Sequence, residues 1–391
     1  MTTIIRLTFF SLTFLLRSCG QTSVLSSKNI IGFADTIKIK VGNNPGSVEI
    51  ADFNNDNFPD IAATSETDSS VTILLGNGKG AFKPAGHSPF FAGSAPNDIV
   101  VADFNKDENL DLAFPNHERK YITVLLGDGT GNFNEAKNSP FATEGIPHVH
   151  GIAAGDFNND GWLDLATDSW GNDHVEVLFG DNATSFGKQR KFFKVGKRPY
   201  QRLRAADLNN DGISDIVTTN AESNDASVLL ADGKGGFTEA EGSPFPCGDN
   251  PFGIAIGDVN DDGKPDLAII NSPSSMAEGK GRDGLTILLN NGTGKFTMLK
   301  GCPFEAGKNP NRIAIGDVNH DGINDIVTTD FEGNKIYLFI MRKDNDIFMS
   351  EAITTGQHPK GIAIADLNGD GKSDIAVCNN ADHNIAILLG N

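Results

Sequence analysis

One nine-residue acidic pattern occurs seven times in this 391-residue chain and constrains its fold more than any other feature. Each copy has Asp at positions 1, 5 and 9 and Asn at position 3, as in DFNNDGWLD at residues 156–164. The first Asp of each copy is Asp52, Asp103, Asp156, Asp207, Asp258, Asp317 or Asp366. Successive copies lie 49 to 59 residues apart. A period of this length indicates a repeat architecture, in which each copy is one supersecondary unit.

Each unit contains four short segments with the composition of β-strands. In the first unit they are SVEIADF, DIAATS, SVTILLG and AFKPAG. The third and fourth are joined by NGKG, and later units use DGTG, DGKG or NGTG at the same place. Asn-Gly and Asp-Gly favour the positive φ angles that tight hairpins need. Seven four-stranded units predict an all-β fold, a seven-bladed β-propeller.

The two ends of the repeat region are complementary. The last unit stops at NIAILLGN, after its third strand, whereas DTIKIKVGNNP at residues 35–45 matches the fourth-strand region of other units. We therefore expect the N-terminal strand to complete the last blade and close the propeller, which removes an exposed sheet edge. A linear solenoid, the alternative architecture, would leave both ends open.

The pattern ADFNxDGxxDIA…VxILLGNGxGxF resembles the FG-GAP or VCBS repeat, found in the integrin α-subunit propeller and in many exported bacterial proteins. The resemblance covers residues 35–391. It implies a propeller whose acidic loops bind calcium and whose opposite face is free for ligands.

The chemistry of the acidic loop favours the same ion. Calcium takes six to eight hard oxygen ligands around a sharply turned loop, and the loop offers oxygen side chains at positions 1, 3, 5 and 9 plus a carbonyl at position 7, such as that of Trp162. The alternative is a set of Asx-turns without metal, but three neighbouring carboxylates repel one another unless a cation is present. We expect up to seven Ca²⁺ ions. The predicted side-chain ligands are Asp52, Asn54, Asp56, Asp60, Asp103, Asn105, Asp107, Asp111, Asp156, Asn158, Asp160, Asp164, Asp207, Asn209, Asp211, Asp215, Asp258, Asn260, Asp262, Asp266, Asp317, Asn319, Asp321, Asp325, Asp366, Asn368, Asp370 and Asp374.

Two of the seven loops lack glycine at position 6. The first has Asn57 there and the second has Glu108. If φ is positive at this position, a residue such as glutamate costs about 1 kcal/mol or more. We expect the site at residues 103–111 to bind calcium most weakly.

The net charge of −19 also points to the loops. Their aspartates at positions 1, 5 and 9 make up 21 of the 51 acidic residues, which leaves 30 other acidic residues against 32 basic ones. This charge argues against nucleic acid and anionic membrane surfaces as partners. Seven bound Ca²⁺ ions would bring the net charge from −19 to about −5.

The N-terminal sequence predicts export. Residues 1–18 have a weakly basic start and the apolar run LTFFSLTFLL, which is too short to span a bilayer. LRSC at residues 16–19 resembles the lipobox of bacterial lipoproteins, which implies lipidation of Cys19, although Arg17 departs from that pattern. A cell-surface or outer-membrane lipoprotein and a secreted protein both remain open, with residues 19–34 as a linker.

The remaining cysteines lie within the repeats. Cys378 is in a strand pattern and is expected to be a buried small apolar residue. Cys247 and Cys302 fall in the same connecting region of consecutive units. Whether they form a disulfide is left open by the sequence.

Two departures from the repeat fall on the face opposite the acidic loops. One is a long loop at residues 271–284, either a ligand loop or a disordered insertion. The other combines IPHVHG, DSWGNDH and KRPYQRLR. Its candidate ligand-binding residues are His148, His150, Trp170, His174, Arg198, Tyr200 and Arg202. Aromatic rings beside polar side chains suit a sugar or a peptide. Alternatively these are scattered rim residues, with Tyr200 packed between blades.

These features favour a monomeric, non-catalytic binding or adhesion module for a protein or carbohydrate ligand, which would contact membranes only through a lipid anchor. A lectin and a polysaccharide lyase or hydrolase are the alternatives. The sequence contains no nucleophile elbow, HExxH motif or phosphate loop, and no catalytic residues are predicted.

Overall fold

The computed structural model describes residues 32–33, 36–146, 149–182, 185–273, 281–343, 345–349 and 352–391. These ranges contain 32 β-strands and no α-helix. The predicted signal peptide (residues 1–18), Cys19 and His148 lie outside the described residues, as do residues 274–280 of the long loop at residues 271–284.

The strands follow one another in seven groups, one for each repeat. The first three blades contain β2 (Pro45–Ala51), β3 (Asp60–Ser65), β4 (Ser70–Gly76), β5 (Phe82–Pro84) and β6 (Phe90–Phe91); β7 (Val100–Ala102), β8 (Asp111–Pro115), β9 (Tyr121–Gly127), β10 (Phe133–Glu135) and β11 (Phe141–Ala142); and β12 (Ile152–Gly155), β13 (Asp164–Ser169), β14 (His174–Asn182) and β15 (Ser185–Lys194). The next three contain β16 (Pro199–Ala206), β17 (Asp215–Asn220), β18 (Asp225–Ala231), β19 (Phe237–Glu239) and β20 (Phe245–Pro246); β21 (Pro251–Gly257), β22 (Asp266–Asn271), β23 (Gly284–Asn290) and β24 (Phe296–Met298); and β25 (Pro310–Gly316), β26 (Asp325–Asp330), β27 (Lys335–Met341), β28 (Ile347–Met349) and β29 (Ile353–Thr354). The seventh contains β30 (Pro359–Ala365), β31 (Asp374–Asn379), β32 (Asn384–Leu388) and the N-terminal strand β1 (Ile37–Lys40).

Each group forms its own antiparallel sheet, in which the strands lie in chain order from first to fourth. In four blades a further two-residue strand pairs with the third strand beyond the short fourth one. The first strands of neighbouring blades also contact one another, so they line the central axis. The prediction of an all-β, seven-bladed propeller is confirmed.

The N-terminal strand closes the propeller as expected. The order in the last sheet is β1-β32-β31-β30, with Ile37 opposite Ile387. Phe33 pairs with Gly390, and the Asn391 amide donates to the Gly32 carbonyl at 3.1 Å. The last blade therefore takes its outermost strand from the beginning of the chain.

The core lies between the blades. At the interface of the first two blades, Phe53, Val71, Leu112 and Phe133 are buried together. Equivalent clusters occur at the other interfaces, such as Val217 of the fourth blade with Leu267 of the fifth. The second strand of each blade is buried over its whole length because neighbouring blades cover both of its faces. Apolar packing between successive sheets therefore holds the repeats together.

Cys247 and Cys302 are free thiols, so the possible disulfide is not formed. The Sγ of Cys302 accepts a hydrogen bond from the Ile287 amide at 3.2 Å, the same contact that the Ser243 hydroxyl makes with the Val228 amide at 3.0 Å. Cys302 therefore takes a serine position of the repeat, whereas Cys247 is buried in an interface between blades. Cys378 is fully buried, as expected.

Candidate metal loops and ligand face

The seven acidic loops connect the first and second strands of their blades and share one backbone conformation. Position 4 and position 6 have positive φ in every copy. At position 6, φ is 65° at Asn57, 69° at Glu108 and between 79° and 88° at the five glycines. A β-carbon added at Gly212 or Gly322 would meet nothing within 4 Å. The preference for glycine is therefore conformational, not steric, and Glu108 occupies the strained conformation that its sequence position indicated.

Within each loop, side-chain oxygens accept hydrogen bonds from loop amides. Asp156 accepts from the amides of Asp160 at 3.1 Å and Gly161 at 2.7 Å. Asn158 accepts from the amide of Asp160 at 2.9 Å, and Asp160 accepts from that of Trp162 at 2.8 Å. These are the Asx-turns of the metal-free alternative.

The ninth-position aspartates differ from the others because they are completely buried. Asp164 accepts hydrogen bonds from the amide of Phe157 at 3.0 Å and from that of Gly180, in the third strand, at 2.9 Å. All seven copies repeat this pair of contacts, with distances of 2.7 to 3.3 Å. The ninth aspartate thus ties the loop to the third strand of its own blade.

The loops are electrostatically strained. Burial, and to a lesser degree repulsion from Asp160 and Asp156, raises the pKa of Asp164 to about 7 against the opposing effect of its two amide partners. The same causes raise the pKa of the equivalent Asp325 to about 7 and that of Asp60 to about 6. A cation close to these carboxylates would act in the opposite direction.

The loops have the donor atoms of a calcium site, but their acidic side chains do not surround one common metal position. In the part of the chain that the structure describes, no three His, Cys, Asp or Glu side chains are already arranged to hold a metal ion. Each loop nevertheless offers three carboxylates and an amide oxygen, all hard ligands of the kind that Ca²⁺ prefers. The donor chemistry fits calcium.

The two faces of the propeller carry different connections. The hairpins between third and fourth strands lie beside the acidic loops, since a β-carbon on Gly78 would lie 2.3 Å from the Phe58 ring. The turns between second and third strands lie with the blade-to-blade connections, since the Glu66 amide donates to the Asn44 carbonyl at 3.4 Å. We call the face with the acidic loops and the hairpins between third and fourth strands the acidic-loop face. The face with the turns between second and third strands is the opposite face.

Four of the predicted ligand residues come together on the opposite face. The Arg198 guanidinium lies over the Trp170 ring at 4.2 Å. The Tyr200 ring is 5.3 Å from that of Trp170 and 4.4 Å from that of His150, measured between centroids. His150 is fully buried, whereas the other three side chains are partly exposed. Tyr200 also packs against Phe252 of the next blade, at 5.8 Å, as the structural alternative expected.

Two other predicted residues lie elsewhere. His174 packs edge-on against Phe192 of the outermost strand in its own blade, at 4.9 Å. Arg202 is 1% exposed and forms an ion pair with Asp98 on the central axis. It is the side chain of an innermost strand, not of the rim.

The sequence did not reveal that other blades extend this cluster around the axis. His117 lies 4.7 Å from His150, and Lys360 forms an ion pair with Glu66. Phe252 has the Arg312 guanidinium 5.8 Å from its ring. We call this surface the axial mouth, formed by Glu66, His117, His150, Trp170, Arg198, Tyr200, Phe252, Arg312 and Lys360. A sequence signal existed, because Glu66, His117 and Trp170 all lie six residues after the ninth-position aspartate of their unit.

Fold and loops together define this chain as a seven-bladed propeller built from acidic-loop repeats. Residues 52–114, 116–167, 170–269 and 317–377 match the family of FG-GAP-like repeats. The chain therefore belongs to the FG-GAP-like repeat family.

Solved structures share the architecture at low sequence identity. BBS1N, from its crystal structure in complex with ARL6DN, has a TM-score of 0.59 at 10% identity, over 92% of this chain and 97% of that one. A catalytically inactive virginiamycin B lyase from Staphylococcus aureus, crystallised with quinupristin, has a TM-score of 0.55 at 15% identity, over 92% and 99%. A functionally unknown protein from Desulfotomaculum acetoxidans has a TM-score of 0.57 at 12% identity, over 87% and 91%. At these identities the likeness concerns the fold alone.

No curated protein matches the chain significantly. Within the described residues, there is no helix with the length and apolar character needed to cross a membrane.

Proposed function

We propose that this protein is an exported calcium-binding propeller that acts as a non-catalytic binding or adhesion module. In this proposal, Ca²⁺ ions occupy the acidic loops, and a protein or carbohydrate ligand binds at the axial mouth on the opposite face. The observation that carries the calcium proposal is the identity of the seven loops in both donors and backbone. Asp at positions 1, 5 and 9, Asn at position 3 and positive φ at positions 4 and 6 recur in every copy.

Electrostatics supports the same proposal. Each loop holds three carboxylates close together, and their repulsion contributes to the raised pKa of the buried ninth aspartate. A divalent cation would remove this repulsion, and binding to the folded state alone adds to stability by mass action. The ions would thus have a structural role, on the face away from the ligand.

Calcium dependence is tested by thermal melts in calcium and in chelator. A site filled at ten times its dissociation constant adds about 1.4 kcal/mol to the free energy of unfolding, so seven such sites add roughly 10 kcal/mol. We expect a large rise of the melting temperature in millimolar calcium and a smaller one in magnesium, which demands stricter octahedral geometry. Equal melting temperatures in calcium and chelator would reject the calcium proposal.

The ligand proposal depends on the contacts of Trp170. Its ring lies against Arg198, and Tyr200 and His150 are close, so an amphipathic surface and a guanidinium stand side by side at the axial mouth. Tyr, Trp and Arg are the residues that dominate binding energy at protein interfaces. Aromatic rings also stack on sugars, which favours a lectin as the second candidate.

A glycan array and a pull-down of cell-surface proteins, both in calcium, test the ligand proposal with a matched pair of variants. Trp170→Ala should remove binding. Trp162→Ala is the control, since Trp162 has the Lys106 ammonium at 4.1 Å from its ring but lies in an acidic loop. Loss of sugar binding with Trp170→Ala alone favours the lectin, and loss of a protein partner favours the adhesion module. Equal binding by both variants would reject the axial mouth.

Export and anchoring are a separate part of the proposal. We infer that residues 1–18 direct export and that Cys19 is lipidated, because the LRSC sequence resembles a lipobox. Labelling of the expressed protein with a radioactive fatty acid should be lost with Cys19→Ala. Absence of label on the native protein, with the chain found outside the cell, would instead support secretion.

A further inference from the structure

The central axis contains a cavity of about 360 Å³ that the proposed function does not use. Its wall is made by innermost strands of five blades, from alanine and isoleucine residues together with two charged residues, Glu49 and Arg204. Both lie three residues before the first aspartate of their acidic loop, whereas Arg202 lies five before it. The cavity is therefore on the acidic-loop side of Arg202, away from the axial mouth.

Arg204 is held in place by a buried carboxylate but keeps part of its guanidinium exposed to the cavity. Its Nη1 lies 3.3 Å from Asp98 Oδ2 and donates to the Leu203 carbonyl at 2.9 Å. The Arg204 side chain is 31% exposed, whereas that of Asp98 is 0% exposed. Asp98 also pairs with Arg202, so one aspartate serves two arginines.

The charges along this part of the axis do not balance. Among the described residues, four cations, Arg202, Arg204, Arg312 and Lys360, lie with three carboxylates, those of Asp98, Glu49 and Glu66. Arg202 and Arg312 both reach the Asn97 carbonyl at 3.5 Å. In the described structure the Nε atoms of these two arginines have no hydrogen-bond partner. Burial and the neighbouring guanidiniums lower the pKa of Arg202. One excess positive charge thus remains along this part of the axis.

We propose that the axial cavity binds a small organic anion with a single carboxylate, which pairs with the exposed edge of Arg204. A guanidinium fork matches a carboxylate in geometry and charge. One negative charge offsets the excess of one, whereas a dianion would leave a net negative charge on the axis. A volume of about 360 Å³ is within the range of small-molecule pockets.

This proposal is tested by calorimetric titration of the intact propeller with butyrate as the probe and neutral butyramide as the matched control ligand. Butyrate should bind with saturation and butyramide should not. Arg204→Gln should weaken butyrate binding about tenfold or more, because it removes a charged hydrogen bond. The control variant is Arg190→Gln, whose side chain is 30% exposed and pairs with the buried Glu176 at 3.1 Å outside the axis.

A second variant keeps the test decisive if Arg204→Gln does not fold. Ala314 lines the cavity from the sixth blade, and Ala314→Leu fills the space without changing any charge. It should abolish butyrate binding while the circular dichroism spectrum stays the same. Absence of butyrate binding by the native protein, equal binding of butyramide, or full affinity in both variants would overturn the proposal. None of these results depends on what binds at the axial mouth.

Discussion

The two ends of the propeller axis are built on different principles. On the acidic-loop face, seven loops repeat the same aspartates, the same asparagine and the same backbone angles. At the axial mouth, each blade contributes a different side chain, among them Glu66, His117, Trp170 and Phe252. The fold therefore does not require any one residue type at the mouth, whereas the acidic loop recurs in every unit. This difference underlies our proposals of a structural ion in the loops and a specific ligand at the mouth.

The largest difference in stability is expected between a variant that removes a buried charge of the axis and one that removes an exposed charge elsewhere. Asp98→Ala should destabilise the protein by about 3–5 kcal/mol, because it leaves Arg202 buried without its counter-charge. Urea unfolding measures this loss. Asp181→Ala breaks the exposed pair with Lys188 and should cost less than about 1 kcal/mol. Equal losses for the two variants would show that the axial charges are not held by Asp98.

Within one acidic loop, variants of the fifth and ninth aspartates should distinguish the stability that comes from calcium binding from the stability that comes from hydrogen bonds within the fold. In chelator, Asp325→Ala should cost about 2–4 kcal/mol, because the amides of Val318 and Met341 lose a buried acceptor. Asp321→Ala, at an exposed position, should cost less than about 1 kcal/mol in chelator. Calcium binding at this loop should be lost in both. Similar unfolding free energies in chelator would contradict a structural role for the ninth aspartate.

The smallest expected effect concerns the loop that departs from the repeat. Glu108→Gly should stabilise the protein by about 1 kcal/mol, because φ at this residue is 69°. Gly212→Ala, at the equivalent position with φ of 84°, should destabilise it by about the same amount. Denaturant unfolding in chelator measures both. A shift of the same sign in the two variants would rule out backbone conformation as the cause.

The features that recur in every unit are the ones that the sequence could predict. The propeller, its closure by β1 and the positive φ at Glu108 followed from comparing equivalent positions of the seven units. The ion pair between Asp98 and Arg202 could not be predicted in this way, because it joins the second blade to the fourth. Its formation depends on the curvature of the whole assembly. Both residues do lie five positions before the first aspartate of their loop. The alternation of side chains along a strand could thus have placed Arg202 on the axis.

The cluster at the axial mouth was found only in part for the same reason. His150, Trp170, Arg198 and Tyr200 are unusual residues in adjacent segments, so the sequence drew attention to them. Phe252 of the fifth blade and Lys360 of the seventh lie in the first strands of their blades, where the sequence does not depart from the repeat. Their position around the axis becomes visible only when the blades are arranged in a circle.

The closure of the last blade has a consequence for how the chain folds. β1 is synthesised long before its partner β32, because Ile37 pairs with Ile387. Pairing between such distant segments is slow, since the entropy of closing the intervening chain is lost first. Until then the outer edge of β32 is an unpaired strand that another chain can add to. A variant that lacks β1 would thus be prone to join with a second copy.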